Sequence, residues 1–149
     1  MFQLKTEDRL RSWREFRYSI GDLNLEQALS RTVELWSNAP FTPYHLEINS
    51  PENWPDPWTL IEENVYCDIA KCLGIMYTIL LTEHKKDLSV EFRWYQDVET
   101  GYEYNLSWLN DGKYIANLID GDIINIKQFD ESLKLERIYT ADELKLKNY

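Results

Sequence analysis

All five prolines of this chain fall between residues 40 and 57, at Pro40, Pro43, Pro51, Pro55 and Pro57. That stretch cannot be a long helix or an interior strand, because proline fixes φ and lacks the amide donor both ladders need. It divides the chain into an N-terminal part with helical apolar spacing, a proline-rich loop, and everything after it. In the first part, Leu10, Trp13, Phe16 and Ile20 recur at three- and four-residue steps. This predicts a helix from about Thr6 to Gly21. A second helix follows Asp22 or Asn24 and stops at Ser37-Asn38, giving an αα-hairpin. After the loop, Asp56 is a natural N-cap and Pro57 suits the first helical position. The apolar period then runs through Ile61, Val65, Ile69, Leu73, Met76 and Leu80. The spacing predicts one helix of more than six turns, apolar on nearly every side from Val65 to Leu81 and therefore surrounded by the rest of the fold.

Beyond His84 the period changes to two. Val90, Phe92 and Trp94 alternate with Glu91, Arg93 and Tyr95, and Asp111-Gly112 and Asp120-Gly121 each separate strand-like runs. Asp-Gly favours tight hairpin turns, so residues 89–126 read as an antiparallel meander. A short helix near Lys127–Ser132, a strand over Leu133–Tyr139 and a capping box at Thr140-x-x-Glu143 complete the pattern. The expected fold is a single α+β domain over 1–149, an N-terminal helical hairpin and a long buried helix packed on a C-terminal antiparallel β-meander.

Charge narrows the function classes. The formal net charge is −10 over 149 residues, with a mean hydropathy of −0.53. A chain so acidic is a poor phosphate neutraliser, so direct nucleic-acid binding is not expected, and no apolar run is long enough to span a membrane. The first residues are charged from Lys5 onward and lack a secretory apolar core, which predicts a cytoplasmic protein. The charge is uneven: residues 1–20 carry Lys5, Arg9, Arg11, Arg14 and Arg17 against Glu7, Asp8 and Glu15, while 22–68 and 97–131 are acidic. Those acidic stretches leave open an acidic DNA mimic as a weaker alternative.

Two blocks, WPDPWTLIEENVYCDIAKCLGIMYTI (54–79) and EFRWYQDVETGYEYNLSWLNDGKYIANL (91–118), resemble uncharacterised small acidic proteins of T4-like tailed phages, especially those of marine cyanobacteria. The resemblance implies a phage product made in a bacterial host's cytoplasm, in the virion or in assembly. It points to a non-enzymatic protein working through contacts with a protein partner. The proline-rich loop is the element such a partner would meet, through Phe41, Tyr44, Trp54 and Trp58, because large aromatics dominate interface energetics. The aromatics Trp94, Tyr95, Tyr102, Tyr104, Trp108 and Tyr114 are read mainly as sheet packing.

A different resemblance supplies the enzymatic alternative. A cysteine-bearing helix followed by a meander is the chain order of transglutaminase-like cysteine hydrolases, which place a nucleophilic Cys at the start of the core helix and a His and an Asp on the strands after it. Here Tyr102 stands where that family would have its histidine, and neither strand of the central hairpin contains His. The helical period also puts Cys67 inside the long helix, where its flanking amides would be engaged and both Cys67 and Cys72 would be free, buried thiols. A degenerate hydrolase would have to use Cys67 with His45, since His84 lies at the far end of the helix. No catalytic residue beyond this weak Cys67–His45 pair is expected. No cofactor is implied: there is no glycine-rich phosphate loop. No metal site is implied either, since two His and two Cys lack ligand spacing and Asp120-Gly121-Asp122 reads as a turn.

Overall fold

A computed structural model describes residues Met1–Tyr149. The chain folds into α1 (Thr6–Gly21), α2 (Leu25–Ser37), α3 (Pro57–Glu63) and α4 (Asp68–Leu80), then β1 (Val90–Gln96), β2 (Glu103–Leu109), β3 (Tyr114–Ala116), β4 (Ile123–Ile124) and β5 (Lys134–Thr140). The expected α+β architecture is present. The five strands form one antiparallel sheet in the order β4-β3-β2-β1-β5. The meander thus occupies one side and β5 returns to pair with the free edge of β1. No helix is long and apolar enough to cross a membrane.

Helix starts follow local chemistry. Asn24 caps α2 reciprocally with Gln27, and Asp56 caps α3 by accepting the Thr59 amide ahead of Pro57. Every α4 residue after Asp68 is buried, so α4 is the central helix that its all-round apolar sequence predicts. Val90, Phe92 and Leu109 from one sheet face join α4 in the main core. The other face is covered too. Tyr95, Leu106, Trp108, Ile115 and Ile124 make a second cluster, roofed by Phe129 and Leu133. Arg93 lies 4.1 Å from the Trp108 ring centroid on this face.

The helical layer is fitted at two close approaches. Gly74 lets the Trp36 ring lie against the backbone of α4, where an added Cβ would sit 2.5 Å from Trp36 Cη2. One turn along, Thr78 Oγ1 accepts both Trp13 Nε1 at 3.0 Å and Trp36 Nε1 at 2.9 Å, and donates to the Gly74 carbonyl.

Two expectations need correction. The single helix over 57–81 is two helices, because Asn64 adopts φ 55° and ψ 39° and ends α3. Asparagine tolerates this left-handed conformation better than most residues, so the apolar period carries on past a break it cannot reveal. The short helix near 127–132 is instead a series of turns. Asn125 Oδ1 accepts the amides of Lys127 and Gln128, and Asp130 Oδ1 accepts that of Ser132. Side chains hold the donors that a helix would have used.

Candidate functional site around Cys67

The break between α3 and α4 builds the site. Asn64 donates its backbone N–H to the Leu60 carbonyl and its Nδ2 to the Phe2 carbonyl at 3.0 Å. Arg9, buried in α1, donates Nε to the Ile61 carbonyl at 2.7 Å and an Nη to the Glu62 carbonyl at 3.0 Å. A cation is therefore fixed on the last carbonyls of α3, where the helix dipole favours it. The chain then extends through Val65 and Tyr66 and turns into α4 at Cys67, which has φ −85° and ψ −178°.

Cys67 is consequently the N-cap of α4, not an interior helical residue as the apolar period implies. Its carbonyl accepts the Lys71 amide at 3.0 Å, while its side chain caps none of the first-turn amides. The thiol is free and buried, 4% exposed. The proline-rich loop is strapped beside it: Phe41 bridges Tyr66, and the Thr42 amide donates to the Tyr66 carbonyl at 2.9 Å. Tyr66 is fully buried with no partner for its hydroxyl, and burial pushes that phenol up to about 12.

The sheet meets the first turns of α4 through polar groups. Cys72 Sγ donates to the Asn105 carbonyl at 2.8 Å, and Ser107 Oγ donates to the Cys72 carbonyl at 3.1 Å. Asn117, just beyond β3 with φ 73°, donates Nδ2 to the Asp68 and Asn105 carbonyls at 3.3 and 3.0 Å and lies 3.3 Å from Cys72 Sγ. Lys71 Nζ pairs with Asp120 Oδ1 at 3.3 Å across the same junction. The Ser107 hydroxyl on β2 and the Asn117 amide just past β3 thus face α4, and Asn105 presents its backbone carbonyl. Burial raises the Cys72 thiol well above the ordinary cysteine range.

Burial likewise raises the Asp68 carboxyl, opposed by Lys71 and a hydrogen bond to Asn117. A carboxyl whose folded pKa lies above its unfolded value weakens the fold above the folded pKa, and that penalty disappears as pH falls below the unfolded value. Asp68→Asn is expected to raise the melting temperature at pH 7. The gain should shrink on acidification through the carboxylate range, as thermal melts across pH will read.

The other candidate residues lie apart from this junction. Tyr102 is 68% exposed in the β1–β2 turn. His84 is buried beyond the C-terminal end of α4, its Nε2 2.9 Å from the Ile20 carbonyl. His45 is exposed, three residues past the Thr42 strap. Of the loop aromatics, Tyr44 is 96% and Phe41 59% exposed. Trp54 is half-buried against Phe92 and Tyr139, with Nε1 donating to the Glu47 carbonyl. Trp58 lies edge-on to Trp13. Sequence reasoning passed over Asn105 and Asn117. Asn105 and Ser107 alternate with Leu106 and Trp108, which reads as a solvent face, whereas this sheet is covered on both sides.

No family model matches the chain, and no curated protein matches it. Among solved structures, calcium-bound Legionella pneumophila LapG superimposes with a TM-score of 0.74 at 11% identity, over 93% of this chain and 77% of that one. EGTA-treated LapG from the same organism gives 0.72 at 11% identity, over 91% and 74%. At this identity the likeness shows a shared fold. The present chain brings together no group of three or more His, Cys, Asp or Glu side chains able to hold a metal.

Proposed function

We propose that this chain is a degenerate transglutaminase-like cysteine hydrolase in which Cys67 keeps the nucleophile's place and His45 is its base. The observation that carries the reading is Cys67 at the N-cap of α4, the start of the core helix, with the antiparallel strands following in chain order. The fold likeness to LapG extends over more than nine-tenths of this chain and so includes that order of core helix and following strands. Degeneracy follows from the sheet, which offers α4 the Ser107 hydroxyl, the Asn117 amide just past β3 and the Asn105 backbone carbonyl, and no histidine. His84 is held at the other end of α4, which leaves His45 on the strapped loop.

The chemistry is acyl transfer. Cys67 Sγ would add to a substrate carbonyl while its proton passes to His45, which returns it to the leaving group; water then releases the acyl chain. The first-turn amides of α4 are the local positive end that would favour the developing negative charge. The direct assay is p-nitrophenyl acetate turnover. A burst of p-nitrophenol that Cys67→Ala abolishes and His45→Gln slows by about 100-fold supports the assignment. A burst unchanged in Cys67→Ala refutes it.

A second reading is a protein-contact role for the loop, favoured by Tyr44 at 96% exposure in a positive-φ conformation of 57°. Phe41→Ala combined with Tyr44→Ala should then leave stability unchanged within about 0.5 kcal/mol while removing partner binding. A large loss of stability would make these side chains structural.

A further inference from the structure

We infer that the α1 face carrying Arg11, Arg14 and Arg17 is a docking groove for a short acidic peptide with interleaved apolar side chains. A cavity of about 910 Å³ opens between α1, Trp58 and the chain following α4, lined by Arg14, Arg17, Tyr18, Leu81 and Glu83 among others. A second hollow of about 380 Å³ continues it toward Leu10 and Arg11 and shares Arg14, Arg17 and Trp58. The two form one groove along α1 from Leu10 to Asp22, a length of about 18 Å at 1.5 Å per helical residue. An extended peptide of about five residues spans that length.

The groove's charge is unusual for this chain. Against a net charge of −10, it presents three arginines at three-residue spacing on one helix face. Arg11 pairs with Asp8, but neither Arg14 nor Arg17 has a carboxylate partner. Arg14 donates to the Tyr18 hydroxyl at 3.3 Å. Arg17 lies 4.3 Å from the Trp13 ring centroid and 5.6 Å from that of Trp58, and its Nε is buried with no acceptor. Of the two carboxylates in the lining, Glu83 is engaged by Lys86 at 2.6 Å and Asp22 stands at the C-cap of α1, at the far end from Arg11. Two guanidinium groups that line a groove without a carboxylate partner are free to take one from outside, and a carboxylate meets a guanidinium bidentately.

The occupant follows from the lining. Leu10, Trp58 and Leu81 alternate with the arginines and offer apolar surface that a bare anion would leave unused. Trp58, 45% exposed, is the natural anchor for an aromatic or aliphatic side chain. A long nucleic acid is disfavoured because the surrounding protein repels a polyanion. The groove lies toward the C-terminal end of α4, away from Cys67, so it is independent of the hydrolase reading.

The test is fluorescence anisotropy with a fluorescein-labelled Glu-Leu-Glu-Phe-Glu peptide, its Gln-for-Glu counterpart, and a labelled five-residue thymidine oligonucleotide. Binding of the acidic peptide that falls with added salt, is lost in the Gln peptide, and weakens at least about threefold in Arg14→Gln and about tenfold in Trp58→Ala supports the groove. Arg14 is exposed and lacks core contacts, so Arg14→Gln should melt as the parent does. Equal binding of the Gln peptide, tighter binding of the oligonucleotide, or no acidic-peptide binding at about 1 mM would overturn the proposal.

Discussion

Thr78→Val is expected to cost about 2–5 kcal/mol, although valine has nearly the same shape as threonine. The hydroxyl is the shared acceptor for two buried indoles, Trp13 and Trp36, both within 1% of full burial. Removing it strands two N–H donors where water cannot reach, and each stranded donor carries a desolvation penalty of about 1–3 kcal/mol. Thr78→Ser keeps the acceptor and loses one methyl, so it should cost about 1 kcal/mol. Urea denaturation of the two variants separates the accounts. Equal losses for Val and Ser would show that the methyl, not the hydroxyl, holds the tryptophans together.

Arg9→Met should cost about 3 kcal/mol, the second large effect. Methionine replaces the apolar stem but removes the donors to the Ile61, Glu62 and Leu4 carbonyls. Charge-assisted hydrogen bonds at a helix C-terminus combine with the dipole, and their loss leaves buried acceptors unpaired. The consequence extends to the site, because Arg9 fixes the end of α3 and α3 ends four residues before Cys67. Amide hydrogen exchange should therefore show faster opening over 60–67 in Arg9→Met than in the parent. An unchanged exchange pattern there would mean that Asn64 alone sets the break.

Much of the fold is legible in the amino-acid order. Periods of 3.6 and 2 mark α1, α2 and the main strands, Asn24 and Asp56 announce helix starts, and Asp111-Gly112 sits in a run of positive φ at 48°, 55° and 87° from Asn110 to Gly112. The site is less legible, for one physical reason in each part. The α3–α4 break turns on the left-handed conformation of Asn64 and on Arg9, which reaches it from more than fifty residues away. A local pattern contains neither fact, so the apolar period runs through Val65 and buries Cys67 in an unbroken helix. The polar strand positions Asn105 and Ser107 look solvated because alternation assumes one open face. Here α4 covers that face, and the buried Ser107 hydroxyl is satisfied by the Cys72 carbonyl. The proline-rich stretch reads as a presented loop, and its strap to Tyr66 depends on a pairing 25 residues away that no spacing rule predicts.

The central claim is that Cys67 is a reactive thiol served by His45, and native-state alkylation tests it most directly. The protein is treated with iodoacetamide under folded conditions, and adducts at Cys67 and Cys72 are located by mass spectrometry over time, in the parent and in His45→Gln. Cys67 should label in the native protein and label severalfold more slowly in His45→Gln. Cys72, 0% exposed against 4% for Cys67 and with its thiol hydrogen-bonded to the Asn105 carbonyl, should label only after denaturation. Equal inertness of Cys67 and Cys72 in the folded protein, or a Cys67 rate indifferent to His45, would contradict the account.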